Sequence, residues 1–370
     1  MAWYNANWLY RVKVTVQSSK VSSSATFPVY VNLNHLPAGF HSNCNQTDCR
    51  DIRVTTSDGV TEVPREIVYY TAADDTGEMY FKGSISSSSN TDFYIYYGNT
   101  SASEPAANAT YGSQNVWDSN FNAVYHMKDY PGNSAYIFDS TANGKTGTKS
   151  GGAGSPAQSA GLVGVSQYFN NSNYISLGNL GPTSSNTVSM IIKHPLPSAI
   201  PGDFARFAWT TDDNYAIFYR KSTKVVEFKQ TTTSGSGTRP TLAQGYLGNN
   251  SWFHLASGYT SGTPFLMANG VRANGSNTGN LSYNNAWCIG SSANTIYGYV
   301  DEFRVSNVDR GTNWLTTEYN NLVNASTFYS IGTQENSLVS KVSSVSLTSI
   351  SKILNLTIVS IKKIAGVDNS

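Results

Sequence analysis

The chain has 370 residues, of which 39% are hydrophobic, so it is long enough to form two ordinary hydrophobic cores. Charged residues make up only 13% and the net charge is +1, which excludes an electrostatic case for binding nucleic acid or an anionic membrane. The 24 Tyr and 7 Trp residues give a neutral, aromatic-rich composition that is common in β proteins acting outside cells.

The amino terminus does not follow the pattern of a secretory signal. Met1 is followed at once by AWYNANWLYR, which has neither a basic segment nor the apolar segment of a signal peptide. No run approaches 18 apolar residues, so the sequence predicts no membrane insertion. The expectation is a protein that leaves the cell by lysis, as a virion component does, or one whose signal has been removed.

The first hundred residues predict one antiparallel β-sandwich. Apolar and polar residues alternate in several short segments, and a period of two indicates half-buried strands. These segments are 11–17, 27–33, 51–56, 67–70 and 92–98. The stretch that follows, 101–115, is small and polar and contains Pro105, so it predicts a linker between two domains.

The strand pattern resumes with longer loops over residues 116–336. The candidate strands are 123–127, 166–169, 174–177, 187–193, 204–210, 215–220, 224–230, 251–259, 263–270, 285–291 and 298–307. So many short strands in one segment predict a jelly roll. Asn269 and Gly270 form a hairpin signal, and 310–323 carries the apolar spacing of a helix.

The tail, 337–370, repeats apolar residues on an 11-residue period. The repeated positions are Val342, Val345, Ile350, Ile353, Leu356, Ile361, Ile364 and Val367. One chain cannot bury so narrow an apolar stripe, so the tail predicts a homo-oligomer, with a trimer favoured by analogy with virion fibres. A right-handed helical coil and a β-type stalk both fit the pattern, and an anchoring or disordered tail is the alternative.

The three cysteines do not have the spacing of a zinc site. Cys44 and Cys49 flank the short loop CNQTDC and would bridge in an oxidising compartment. Cys288 lies in an apolar run, which predicts a buried thiol.

Two families resemble parts of the chain. The segments WYNANWLYRVKVTV, FPVYVNL, CRDIRVTTSDG, VPREI and DFYIYYGN, in this order over residues 3 to about 100, resemble the DUF2341 domain of bacterial and phage proteins. The segments VWDSNFNAVYHMKD, FDSTANGKTG, SWFHLASG, MANGV, CIGSS and YVDEFRVSNVDR, over about 220 residues, resemble the LamG-like, concanavalin A-like jelly roll. Together they imply an all-β fold of two sandwich domains, whose functions range from lectins and adhesins to hydrolases.

The LamG resemblance also implies a structural calcium ion. In such jelly rolls an Asp of the last strand, in a context like VDEFRV, commonly supplies a carboxylate, and Asp301 stands at that position. Asp139 in FDSTANG is a second candidate ligand. Calcium takes six to eight oxygens, so backbone carbonyls and water would complete the shell. The alternative is that Asp301 caps a turn or pairs with Arg304.

The sequence predicts no enzyme. Retaining glycosidases of the concanavalin A-like fold need two carboxylates about 5 Å apart, and none of the glutamates begins a Glu-x-Asp-x-Glu pattern. Asp301 and Glu302 are adjacent and would lie on opposite faces of a regular strand. HExxH and GxSxG motifs are absent, and His126 and His254 predict core or boundary histidines.

The densest candidate for ligand binding is a pair of strands joined by TTDDN. Its residues are Trp209, Asp212, Asp213, Tyr215 and Tyr219. Aromatic faces beside polar loop residues are typical of sugar sites. The alternative is a hairpin whose aromatic side chains simply point inward.

These observations lead to one functional hypothesis with two alternatives. The hypothesis is a non-enzymatic virion surface protein, of fibre, spike or decoration type, whose lectin-like domain attaches to a host glycan or surface polymer. Its partners would be other copies of itself and other virion proteins, reached through the tail. A secreted or cell-surface bacterial adhesin is the first alternative, and a purely structural capsid or tail component is the second.

Overall fold

The computed structural model describes residues 2–44, 46–151, 155–170, 173–181, 185–194, 203–232, 237–243, 250–260, 262–276, 286–292 and 296–337. The repeat tail, with its eight apolar positions, therefore lies outside the described residues. The chain is all-β, and its paired strands are antiparallel, as the alternation of buried and exposed residues predicts. Among the described helices, none is both long and apolar enough to cross a membrane.

The first sandwich contains two sheets from the amino-terminal part of the chain. Its elements are β1 (Tyr10–Val16), β2 (Ala25–Asn32), α1 (Ala38–Asn43), β3 (Arg53–Thr56), β4 (Glu62–Val63), β5 (Arg65–Thr71), β6 (Thr76–Ile85) and β7 (Thr91–Tyr97), with 3₁₀ turns at Ser18–Lys20 and Leu33–His35. One sheet contains β1, β7, β3 and β4, and the other has the order β2-β6-β5. All five predicted strands are confirmed, but β6, the longest strand here, was not predicted.

The second sandwich follows a 3₁₀ turn at Ser113–Val116. Its strands are β8 (Phe121–Tyr125), β9 (Asp129–Tyr130), β10 (Asn133–Ile137), β11 (Gly147–Lys149), β12 (Ala157–Ala160), β13 (Val165–Asn170), β14 (Tyr174–Asn179), β15 (Ser185–Lys193), β16 (Phe204–Thr210), β17 (Tyr215–Arg220), β18 (Val225–Gln230), β19 (Thr241–Ala243), β20 (Trp252–Thr260), β21 (Thr263–Ala268), β22 (Val271–Asn274), β23 (Ala286–Gly290) and β24 (Tyr297–Ser306). The outer sheet has the order β19-β18-β17-β16-β23-β14-β11-β10-β9. The inner sheet has the order β12-β13-β24-β15-β20-β21-β22, and β8 also pairs with β24.

The end of the described chain returns to the first sandwich. After α2 (Gly311–Val323) and α3 (Ala325–Phe328), the strands β25 (Tyr329–Ile331) and β26 (Glu335–Asn336) both pair with β1. This pairing places 329–336 in the first sandwich, whereas the sequence analysis counted them with the second. An alternating pattern indicates that a segment is extended, but it does not indicate which strand the segment pairs with. The predicted boundaries are otherwise untested and stay a prediction.

Helix α2, predicted at 310–323, lies against both sandwiches. On one side, its Asn321 side chain accepts a hydrogen bond from the Tyr30 backbone N–H (2.8 Å) and donates one to the Tyr30 carbonyl (3.1 Å). These two bonds satisfy the Tyr30 backbone in the way that a paired strand would. On the other side Glu318 lies 2.9 Å from Nε2 of His254 on β20. The helix therefore ties the inner sheets of the two sandwiches together.

Three layers of buried side chains follow from strand alternation. On β6, Met79 and Phe81 enter the core of the first sandwich, whereas Tyr80 faces the other way and packs beside Trp117 and Ile191. The core of the second sandwich lies on the far side of β24. The sheets β2-β6-β5 and β12 to β22 are thus covered on both faces, and the layer between them, called the junction here, is as buried as a core.

The thiols of Cys44 and Cys49 lie 2.8 Å apart and are not bridged in this structure, and Cys288 is buried as predicted. Their bridging in an oxidising compartment stays a prediction.

Candidate functional site

The junction opens to solvent in a cavity of about 420 Å³, called the junction cleft here. One wall is β5 of the first sandwich, with residues 66–68. The opposite wall is the segment after β8, residues 128–131, together with Phe138 and Ser140. Concave sites between domains, lined by a few fixed polar groups and aromatic rings, are where ligands usually bind.

The rim of the cleft carries two exposed aromatic rings. The side chains of Tyr130 and Phe138 are 42% and 46% exposed, and their ring centroids lie 6.0 Å apart. Pro131 and Gly132 form the turn between β9 and β10. Gly132 has a φ of +80°, which glycine adopts without steric strain because it has no Cβ. This turn brings Tyr130 back beside Phe138, so the cleft offers an apolar face of two rings at its entrance.

Polar groups along the cleft are fixed by hydrogen bonds. Lys128 Nζ donates to the carbonyl of Val68 at 2.7 Å, which joins the two walls. Burial lowers the pKa of Lys128. Asp129 accepts from Lys149 Nζ at 2.5 Å and from Gln167 Nε2 at 2.7 Å. Such groups present fixed donors and acceptors and lose little side-chain entropy when a ligand binds.

Glu66 and His126 form the floor of the cleft. Glu66 is held by two donors, because Trp117 Nε1 donates to its Oε2 at 2.7 Å and Ser140 Oγ donates to its Oε1 at 2.6 Å. His126 turns Nε2 toward Glu66 Oε2, at 3.5 Å. The Tyr80 ring stacks on the imidazole, with centroids 4.8 Å apart. The imidazole is therefore fixed in position and orientation.

Behind the floor lies a buried network of charges, called the junction cluster here. Its members are Glu66, Glu78, His126, His254, Asp301, Glu302, Arg304 and Glu318. His126 Nδ1 lies 2.5 Å from Glu302 Oε1, and Arg304 lies between Glu302 (2.6 Å) and Glu318 (3.1 Å). All eight residues are at most 6% exposed, so each charge depends on its neighbours rather than on water.

The pKa values in the junction cluster move in opposite directions. Burial would lower the pKa of His126, but the charges of Glu302 and Glu66 outweigh it and raise that pKa well above its ordinary value. Burial would raise the pKa of Glu302, but His126 and Arg304 hold it at about 2. Burial and the charge of Glu302 raise the pKa values of Glu78 and Asp301 well above the ordinary range.

A β-bulge on β24 brings two acidic residues to the same side. Glu302 has a φ of +49°, and the register against β15 shifts at this point. Val300 and Phe303 both enter the second core, so Asp301 and Glu302 both face the junction. The expectation that these two side chains lie on opposite faces is therefore wrong, because a bulge adds a residue and resets the alternation.

The structure separates the residues predicted to bind ligand around TTDDN. Tyr215 and Tyr219 are fully buried in the core of the second sandwich, and the Tyr215 hydroxyl lies 2.5 Å from Ser257 Oγ. Asp212 accepts from Asn214 within the turn. The inward hairpin is thus the correct alternative for the two tyrosines, which cannot contact a ligand at the surface.

The remaining two residues of that set lie near the surface, but their polar groups already form hydrogen bonds or ion pairs within the chain. Trp209 is half-buried, and its Nε1 donates to the Gly290 carbonyl at 2.7 Å. Asp213 pairs with Arg206 at 3.0 Å and Lys229 at 2.6 Å. The five residues therefore form no shared binding surface.

The predicted calcium ligands differ in how well they fit an ion. Asp139 accepts four hydrogen bonds, from the backbone N–H groups of Val124, Thr141 and Lys145 and from the Thr141 hydroxyl. A carboxylate has about four acceptor sites, so Asp139 does not fit a calcium ligand. Asp301 Oδ2 accepts from the N–H groups at Leu162 and Val163, and its Oδ1 has no hydrogen-bond partner among the described residues. Of the two predicted calcium ligands, only Asp301 keeps an oxygen for a cation.

The floor residues were not predicted as a site. Glu66 lies in the segment VPREI, which carried only a family resemblance, and Glu78 lies on the unpredicted β6. His126 was interpreted as a core or boundary histidine, and it is buried. No short motif joins these positions in sequence. Only the pairing of the two sandwiches brings them together.

The comparisons with known proteins begin with a family model. DUF2341, a domain of unknown function, matches residues 48–145, a stretch that holds Glu66, Glu78 and His126 and both walls of the junction cleft. The DUF2341 resemblance is therefore confirmed for residues 48 to about 100, and the family match continues to residue 145, into segments that were predicted as the linker and the start of the second domain. A search of curated proteins gave no match.

Similar solved structures are remote. Domain 4 of a GH43 extracellular arabinanase from Geobacillus stearothermophilus, in complex with arabinotriose, is 19% identical, with 53% of this chain and 97% of that chain covered and a TM-score of 0.39. The binding domain of Paraclostridial Mosquitocidal Protein 1 is 14% identical, with 54% and 52% covered and a TM-score of 0.44. A Trypanosoma rangeli sialidase with the inhibitor DANA is 9% identical, with 65% and 42% covered and a TM-score of 0.41. This chain thus spans about half of the latter two, and the likenesses are too remote to identify a ligand.

Proposed function

We propose that the chain is a non-catalytic surface protein that binds a glycan in the junction cleft. The observation that carries this proposal is the exposed pair of rings, Tyr130 and Phe138, at the entrance of a cavity whose polar groups are fixed. A sugar ring has apolar C–H faces and polar edges, so it matches an aromatic face next to fixed donors and acceptors.

The carboxylates at the cleft favour binding over hydrolysis. A glycosidase needs one carboxyl group to give a proton and another to attack or to activate water. Each carboxylate that lines the cleft is already paired. The partners are Trp117 and Ser140 for Glu66, Arg65 for Glu104, and Lys149 for Asp129. Carboxylates held in this way serve as fixed hydrogen-bond acceptors rather than as proton carriers.

The proposed setting is a virion surface, where the chain would act as a fibre, spike or decoration protein on a host glycan or surface polymer. Many weak sites on one particle would give avidity without strong single contacts. Homotrimer formation through the tail and contacts with other virion proteins belong to the same proposal. A cell-surface adhesin would use the same cleft, and an antibody against the chain that labels cells rather than purified particles would favour it.

A glycan array with the full chain tests the binding proposal. We expect binding to a restricted set of glycans, and we expect the double variant Tyr130→Ala, Phe138→Ala to lose at least tenfold in affinity, about 1.4 kcal/mol. Tyr136→Ala is the matched control, because Tyr136 is 37% exposed on β10 but does not line the cleft. Silence of the wild-type chain on the array, or equal losses in both variants, would contradict the proposal and favour a purely structural role.

A further inference from the structure

Three side chains of the junction cluster have the arrangement of a metal site. Glu78 comes from β6 of the first sandwich. His126, directly after β8, and Glu302 on β24 come from the second sandwich. One ligand atom from each lies within 4.8 Å of the other two, and all three side chains are buried. We propose that Glu78, His126 and Glu302 bind one divalent transition-metal ion, which links the two sandwiches.

The first argument is the unpaired carboxylate of Glu78. This side chain is fully buried, and neither of its oxygens has a hydrogen-bond partner among the described residues. His126 Nδ1 lies 3.6 Å from Glu78 Oε1, and Asp301 Oδ1 is also buried without a partner. A buried carboxylate without donors costs several kcal/mol, and proteins usually avoid this by binding a cation or a proton there.

The second argument is the balance of charge. Five carboxylates face the junction, those of Glu66, Glu78, Asp301, Glu302 and Glu318. The cations near them are Arg304 and, at the rim, Lys128, and the imidazole of His126 can add one more. When all five carboxylates are ionised, they outnumber these cations, and without an ion the raised pKa values of Glu78 and Asp301 favour their neutral forms. A metal ion between Glu78 and Glu302 would balance the excess where the two carboxylates meet.

The third argument is the set of contacts around the ligands. A histidine that binds metal through one ring nitrogen usually directs its other N–H to a carboxylate. His126 turns Nδ1 toward Glu302 and Glu78, and its Nε2 faces Glu66 Oε2 at 3.5 Å. The second oxygen of Glu302 accepts from Arg304 at 2.6 Å. The ligands are thus oriented by neighbours before any ion binds.

Two backbone segments, the bulge at Glu302 and the loop 161–164, pack tightly around the proposed metal site. The positive φ of Glu302 is a sparsely populated conformation, and such strain persists where the surrounding structure requires a side chain in one place. A Cβ at Gly164 would lie 2.1 Å from Glu78 Oε2, and a Cβ at Gly161 would lie 2.5 Å from Asp301 Oδ2. The loop 161–164 can therefore cover the two carboxylates only with glycine at these positions.

The donor set indicates the kind of metal. One imidazole nitrogen with carboxylate oxygens suits Zn²⁺ or Mn²⁺, with Asp301 Oδ1 or water as a further ligand. Calcium prefers oxygen ligands alone and takes six to eight of them. The proposed ion is therefore of a different class from the calcium ion that the LamG resemblance implies, and this inference does not depend on glycan binding.

The experiment uses the full chain after treatment with a chelator. ZnCl₂, MnCl₂ and CaCl₂ are added separately, bound metal is counted by mass spectrometry after desalting, and thermal unfolding is recorded. We expect one equivalent of Zn²⁺ or Mn²⁺ per chain and a rise in Tm of about 3 °C when the metal exceeds its Kd about 100-fold. Ca²⁺ should give neither effect.

Variants distinguish a metal site from a shared proton. Glu78→Gln keeps the shape but removes the carboxylate ligand, so the metal-free variant should unfold near the Tm of the metal-free wild type and should bind no metal. Glu227→Gln is the control, because Glu227 is a buried carboxylate paired with Arg220 on the outer sheet, and this variant should bind metal as wild type does. Less than a tenth of an equivalent in the wild type, or full binding by Glu78→Gln, would overturn the proposal.

Discussion

At the scale of single residues, the buried acidic groups of the junction cluster differ in whether a cation or a hydrogen-bond donor contacts them. Glu318 is fully paired, because Arg304 on β24 and His254 on β20 both contact its carboxylate. Burial would raise the pKa of Glu318, but Arg304 and His254 lower it to about 2. Burial raises both pKa values, but the net shift is downward for Glu318 and upward for Glu78, and the difference lies in their partners.

Glu318 should make stability depend on pH at the acid end. Its folded-state pKa of about 2 lies below its ordinary value of 4.5, so its contribution is present above pH 4.5 and is lost as the pH falls toward 2. The difference corresponds to about 3 kcal/mol. We expect Glu318→Gln to be less stable than wild type by about 3 kcal/mol at pH 7 and to approach wild type below pH 3, as measured by urea unfolding.

The control for this measurement is Glu335→Gln. Glu335 pairs with Arg11 at 2.7 Å, but its side chain is 43% exposed, so water screens the pair. This variant should lose less than about 1 kcal/mol at pH 7. A pH-independent loss in Glu318→Gln would show that packing, and not charge, accounts for the effect.

At the scale of elements, the sequence predicted most of the longer strands but missed β6. The strand β15, for example, was predicted at 187–193 and spans Ser185–Lys193. Burial on both faces does not explain why β6 was missed, because β15 and β20 are buried in the same way and were predicted. The segment of β6, TGEMYFKGSI, contains two Gly, one Glu and one Lys, which are residue types depleted in strands and weaken its signal. The bulge at Glu302 was missed because a period of two does not show where a residue is added.

The loop 161–164 offers a prediction at this scale. Gly164 and Gly144 have nearly the same φ, +61° and +62°. A Cβ at Gly164 would meet Glu78, whereas one at Gly144 would meet nothing within 4 Å. Gly144→Ala should therefore cost about 1 kcal/mol from the backbone alone. Gly164→Ala should cost at least about 1 kcal/mol more, as measured by chemical unfolding.

Equal losses in the two variants would contradict the close packing of this loop on Glu78.

At the scale of the whole molecule, the candidate site arises from the contact between two sandwiches. Composition and periodicity predicted the all-β class and two sandwich units, because each strand carries its own pattern of burial. The cleft could not be predicted in the same way, because Glu66 lies on β5 and Tyr130 and Phe138 lie beyond the linker, and only tertiary packing makes them neighbours. The TTDDN hairpin had a denser sequence signal, but its two tyrosines fill a core.

Hydrogen–deuterium exchange with and without the glycan that binds best on the array tests the central claim most directly. The account predicts that bound glycan slows exchange in 66–68 and 128–140, the two walls of the junction cleft, and leaves 204–220 unchanged. Slowed exchange confined to 204–220, with no change at the junction, would contradict it.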